Sequence, residues 1–168
     1  MQYRKLGNSD VEVSVICLGT MTWGEQNTRE QAFVQMDYAL ERGVNFFDTA
    51  ELYSIPPAAG TYGSTETIIG RWLKQRGNRD KIILASKIAG PGEGWVDHIR
   101  KGKTRFNGTT IGKALDDSLK RLQTDFIDLY QLHWPERSTN FFGSLGYEPL
   151  EDNFTPVVET LEALAAQV

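Results

Sequence analysis

A chain of 168 residues with 40% hydrophobic and 24% charged side chains has the make-up of one globular domain with a substantial core. Its net charge of −4 offers no basic field to nucleic acid, and no membrane span and no charged-then-apolar leader can be read in it. One cysteine, Cys17, excludes an internal disulfide and fits a reducing compartment, so a cytoplasmic protein is expected.

Residues 3–6 and 11–15 flank the turn formers Gly7, Asn8, Ser9 and Asp10, which predicts a hairpin covering one end of the core. The chain then repeats one theme four times, a short apolar strand followed by an amphipathic helix. The first strand, 15–18, contains Cys17, expected there as a small buried hydrophobe. The loop Gly19-Thr20-Met21-Thr22-Trp23-Gly24 leads into a helix over about 28–42, with Phe33, Met36, Ala39 and Leu40 on its apolar face. The second strand, 44–47, breaks at Asp48, and Tyr53 lies on the loop beyond. Ser64 is the expected N-cap of the next helix, Ile68, Ile69, Trp72 and Leu73 its buried stripe, and Gly77 its stop.

The third strand, 82–85, closes in Ser86 and Lys87. A polar, glycine-rich loop over about 88–108 follows and carries Arg100, Lys101, Lys103 and Arg105. Thr109 or Thr110 opens the third helix, where Ile111, Leu115, Leu119 and Leu122 repeat at three or four. The fourth strand, 126–132, ends in His133. A second long loop, about 134–154, precedes a helix opened by Thr155-Pro156 with Val158, Leu161, Leu164 and Ala165 as its apolar face.

Near-continuous apolar strands alternating with helices imply a parallel sheet covered by helices. The Gly-x-Gly-x-x-Gly fingerprint is missing after the first strand, which weakens a doubly wound sheet. Polar residues at the ends of strands two, three and four favour a barrel, whose active site is built there. The fold class expected is α/β, of the parallel (β/α)8 barrel type. A full barrel takes about 250 residues, so residues 1–168 read as the N-terminal part of a single barrel domain, a hairpin and about four βα units.

Asp48, Lys87 and His133 each close a strand, and Tyr53 follows Asp48 closely. Each has a plain alternative: a turn-capping Asp, a packing Tyr, a surface Lys, a satisfied strand-end His. One such group per successive strand, all on one rim, points instead to proton delivery to a developing alkoxide. A neighbouring ammonium is expected to lower the Tyr53 pKa from its ordinary value of about 10. Asp48 would orient Lys87, and His133 would donate a hydrogen bond to the substrate oxygen. No side chain can give or take a hydride, so a redox cofactor is required.

Asp-Thr-Ala-Glu-x-Tyr at 48–53, Ser-Lys at 86–87, Leu-Tyr-x-Leu-His-Trp-Pro at 129–135 and Leu-Gly-Thr-Met-Thr-Trp-Gly at 18–24 resemble the aldo-keto reductase family. Asp-Ser-Leu-Lys-Arg-Leu-Gln-Thr-Asp at 117–125 and Phe-Gly-x-Leu-Gly-Tyr at 142–147 are similar to its Tas-like subgroup. The resemblance covers essentially the whole chain. It implies a (β/α)8 barrel and NADPH-dependent reduction of a small-molecule carbonyl substrate, an aldehyde or ketone, with no metal. It makes Tyr53 the proton donor, Asp48 and Lys87 its tuners, and His133 the carbonyl orienter. Gly19, Thr20, Met21 and Asp48 would lie beside the nicotinamide, with Trp23, Tyr53, His133 and Trp134 lining the substrate pocket. In the family, strands five to eight hold most of the cofactor, including its phosphates, so without a C-terminal half the chain alone is expected not to bind the cofactor and, with two open apolar sheet edges, to self-associate or be poorly soluble. The competing readings are a regulatory barrel subunit and a half-barrel remnant acting as a binding module.

Overall fold

In a computed structural model, residues 1–92, 94–137, 139, 140, 142, 145, 146 and 153–168 are described. Gly143 and Tyr147 of the 142–147 motif, and residues 147–152 of the second long loop, lie outside them.

The hairpin forms as the turn chemistry predicts. Strands β1 (Tyr3–Lys5) and β2 (Glu12–Ser14) pair antiparallel, with Tyr3 opposite Ser14. Its partner is the turn before the second parallel strand: the Ser14 N–H donates to Asn45 Oδ1 at 2.7 Å, and the Tyr3 hydroxyl to Gly43 O at 2.7 Å. The hairpin therefore covers the N-terminal end of the sheet.

That sheet contains β3 (Cys17–Gly19), β4 (Phe46–Asp48), β5 (Ile83–Ile88) and β6 (Leu129–Leu132), all parallel and in sequence order. Each strand starts later than its apolar run suggests. Val15 and Ile16 are 45% and 56% exposed, because residue 15 still pairs with the hairpin through Gln2 O. Cys17 is exposed as well, which corrects the expectation of a buried thiol: among the described residues β3 has a neighbour on one side only, and its face opposite the helices is open.

Helix α1 (Arg29–Glu41) begins at a capping box, Thr28 with Gln31, and buries Ala32, Met36 and Ala39. Helix α2 (Ser64–Arg76) is capped by Gly63 at φ +72°, not by the Ser64 side chain, and ends at Gly77 in the left-handed region. Trp72 of α2 stacks on Phe47 at 5.7 Å and donates its indole N–H to Asp37. Helix α3 (Gly108–Leu122) is capped by Asn107, whose side chain accepts from Thr110 N, a few residues ahead of the threonines expected to open it. It lies so close to α2 that a Cβ on Gly70 would meet Arg121 O at 2.2 Å. Only glycine fits there.

Helix α4 (Val157–Ala165) packs Leu164 of the face its periodicity selects but not Val158 or Leu161. Thr160 is buried and Ala163 and Leu164 pack on Ile88, Phe106 and Ile111, while Val158 and Leu161 are 61% and 59% exposed. Apolar residues lie on both sides of this short helix, so spacing alone could not choose. The segment 88–108 is no solvated loop either. Val96, Ile99, Thr104 and Phe106 are buried, and a 3-10 turn spans Arg100–Gly102.

Candidate active site

Strand alternation brings the polar residues to one face. Phe47, Leu84 and Ser86 point to the helices and are fully buried, so Asp48 and Lys87 face the other way. Lys87 lies opposite Gln131, and His133 follows two residues later on the same side. The Lys87 ammonium donates to Asp48 Oδ2 at 2.7 Å, to Thr49 O at 2.7 Å, and to the Tyr53 hydroxyl at 3.5 Å. The Tyr53 and His133 rings meet edge-on at 5.4 Å. All four residues expected at the rim thus converge.

The electrostatics differ from expectation. Burial, and then the Asp48 carboxylate, push the Tyr53 phenol up to about 12 rather than down. Tyr53 is only 8% exposed, and the ammonium spends its two short bonds on Asp48 and Thr49. Burial, and then Lys87, bring the His133 imidazole down to about 4, so it is neutral at physiological pH. Among the described residues its Nδ1 is buried with no hydrogen-bond partner.

A cavity of about 480 Å³ opens beside these groups, lined by Met21, Leu52, Tyr53, Ile55, Trp95 and His133 together with Pro57 and Phe142. Trp23, expected in its wall, is 1% exposed in the main core and donates its indole N–H to Gln35 at 2.8 Å. The amphipathic α1 offers that ring both apolar neighbours and an acceptor, and this draws it inward. Trp134 is also set back: 4% exposed, it packs behind His133 with ring centres 5.1 Å apart and donates to Pro91 O.

Of the residues expected beside a cofactor ring, Gly19 is exposed, and a Cβ there would meet nothing within 4 Å. Met21 is 50% exposed. Thr20 is buried and donates to the Asp48 main-chain O at 2.8 Å, which ties the end of β3 to the backbone at the end of β4.

Three residues escaped the sequence reading. Gln131 reaches Asp48 Oδ1 at 3.5 Å. Glu51, fully buried, pairs with Arg100, which had been read as a loop cation. Glu66, in the first turn of α2, is fully buried and joins Arg121 at 2.7 Å and Ser86 at 2.5 Å. The one local signal was Glu51 itself, an acid between Ala50 and Leu52.

Residues 15–167 match the profile described as "Aldo/keto reductase family". The chain is 48% identical to Protein tas of Escherichia coli over 166 residues, which are 98% of this chain and 48% of that protein. It is 42% identical to the uncharacterized oxidoreductase YrpG of Bacillus subtilis, across 83% of this chain and 42% of that one. Among solved structures, the holo form of aldo-keto reductase AKR11C1 from Bacillus halodurans superposes with a TM-score of 0.71 at 36% identity, over 99% of this chain and 46% of that one. The chain spans about half the length of the curated relatives it matches.

Proposed function

The chain belongs to the aldo/keto reductase family, and from that premise we propose that it forms the N-terminal part of a single barrel domain whose whole protein reduces aldehydes or ketones to alcohols with NADPH. The observation that carries this reading is the Lys87 ammonium bridging Asp48 and Tyr53 beside a cavity that Tyr53 and His133 share.

A phenol held near 12 keeps its proton at neutral pH and gives it up only to a stronger base. An alkoxide is such a base. As negative charge grows on the carbonyl oxygen, Tyr53 transfers its proton, and the Lys87 ammonium 3.5 Å away stabilises the phenolate left behind. His133, neutral and on the cavity wall, orients the oxygen without adding a competing charge. Leu52, Ile55, Trp95 and Phe142 keep water from the reacting groups. Gly19, Thr20, Met21 and Asp48 would hold NADPH, which would supply the hydride that no side chain can. The outer edges of β3 and β6 are where the rest of the barrel, or a second copy of the chain, would pair.

The test is Tyr53→Phe in a full-length context. Carbonyl reduction is expected to fall about 10²- to 10⁴-fold, with NADPH affinity nearly unchanged, because the ring remains and only the proton is lost. Undiminished reduction overturns the role.

A further inference from the structure

One buried carboxylate joins the two loops that wall the site. Glu51 is fully buried and accepts from the Ala89 N–H at 2.7 Å and from the Tyr62 hydroxyl at 2.7 Å. It also pairs with the guanidinium of Arg100, whose side chain is 8% exposed. The Glu51 backbone N–H donates to Lys87 O at 3.1 Å. Glu51 is therefore bound through its main chain to Lys87 and through its side chain to the residue two beyond it, while standing two residues before Tyr53.

Arg100 enters from the far end of the segment that contributes Trp95 to the cavity. It donates further to Lys103 O at 3.2 Å and Ala89 O at 3.4 Å. Arg100 and Lys101 take φ of +46° and +55°, a region that such residues hold only where the surroundings impose it. A buried ion pair is weak evidence of net stabilisation, since desolvation offsets much of its attraction. What it does impose is one arrangement of the segments it joins.

We propose that Glu51 and Arg100 are positioning residues, which lock the turn bearing Tyr53 onto Lys87 and hold the Trp95 segment against the site. The inference rests on Tyr53 being the proton donor, but its test reads the phenol and not turnover.

Within the same full-length context, Tyr53 is titrated by NMR of its ring ζ carbon, assigned with Tyr53→Phe, in the parent, in Glu51→Gln, in Arg100→Lys and in the double variant Glu51→Gln/Arg100→Met. The charged and titratable groups that face Tyr53, namely Asp48, Lys87 and His133, are kept in every variant. A locked turn predicts that the double variant titrates about one pH unit or more below the parent, toward the ordinary phenol value of about 10, as water reaches the ring. Arg100→Lys, which keeps the charge and loses the fork, shifts less. A folded variant with a lowered melting temperature and an unmoved Tyr53 midpoint overturns the proposal, because a merely structural pair costs stability alone. Where Glu51→Gln fails to fold because the Arg100 charge is stranded, the double variant decides, since both charges are gone. A Tyr53 that shifts as expected but proves dispensable for reduction would overturn the functional reading and leave the positioning intact.

Discussion

The two ends of the parallel sheet each hold cations against carboxylates, and they satisfy them to different degrees. At the N-terminal end, Arg79 donates to Asp128 Oδ2 at 2.6 Å, to Thr124, and to the carbonyls of Ile82 and Phe126, and it lies 3.9 Å over the Phe126 ring. Asp128 in turn accepts from the Leu84 N–H at 2.8 Å. At the C-terminal end, Lys87 reaches Tyr53 only at 3.5 Å and His133 Nδ1 is unpartnered among the described residues. A buried group left short of partners is costly unless it is kept for something else. The closed end holds the strands together, and the incomplete end faces the cavity, which is the division expected between the two faces of a barrel.

The sharpest way to break this comparison is Arg79→Met. It strands Asp128, whose side chain is 16% exposed, and removes the link between the start of β5 and the segment before β6. A loss of about 3–5 kcal/mol in denaturant unfolding is expected, with the Tyr53 titration unmoved wherever the fold persists. A loss below about 1 kcal/mol would mean that the closed end does not carry the fold.

Much of this arrangement could be read from the sequence, for a local reason. Asp48, Lys87 and His133 each interrupt or follow a short apolar run, and alternation along a strand fixes which way they face. What could not be read depends on contacts across long separations. Glu51 and Arg100 are 49 residues apart, and nothing in the spacing of either announces the other. The family resemblance puts Trp23 on the pocket wall, yet Gln35 on the following helix gives its indole N–H a buried partner. Cys17 lies in an apolar run, but such a run does not reveal which strand is last in the sheet.

A smaller effect concerns pH at the incomplete end. The His133 imidazole titrates near 4 in the folded chain against an ordinary value of 6.5. Between those values the unfolded chain binds the proton and the folded chain does not, so stability rises with pH across that window. Stability is therefore lost as pH falls from about 6.5 to about 4, by at most about 3 kcal/mol. His133→Asn should flatten that limb while leaving stability at neutral pH within about 1 kcal/mol. Unfolding curves at a series of pH values check it, and an unchanged acid limb would place the dependence elsewhere.

The smallest expected effect tests how the end of β3 is held beside Asp48. The Thr20 hydroxyl donates to Asp48 O at 2.8 Å from a position 1% exposed. Thr20→Val keeps the shape and removes that donor, which costs about 1 kcal/mol. β3 has three residues and, among the described residues, one neighbouring strand, so this bond helps tie the segment carrying Met21 to the main chain of Asp48, whose carboxylate holds Lys87. Losing it should cost little stability but displace Gly19 and Met21 relative to Asp48, which the amide shifts of residues 19–21 and 48–49 would record. If Thr20→Val cost as much as Arg79→Met, the incomplete end would be holding the fold after all, and the division of labour between the two ends would fail.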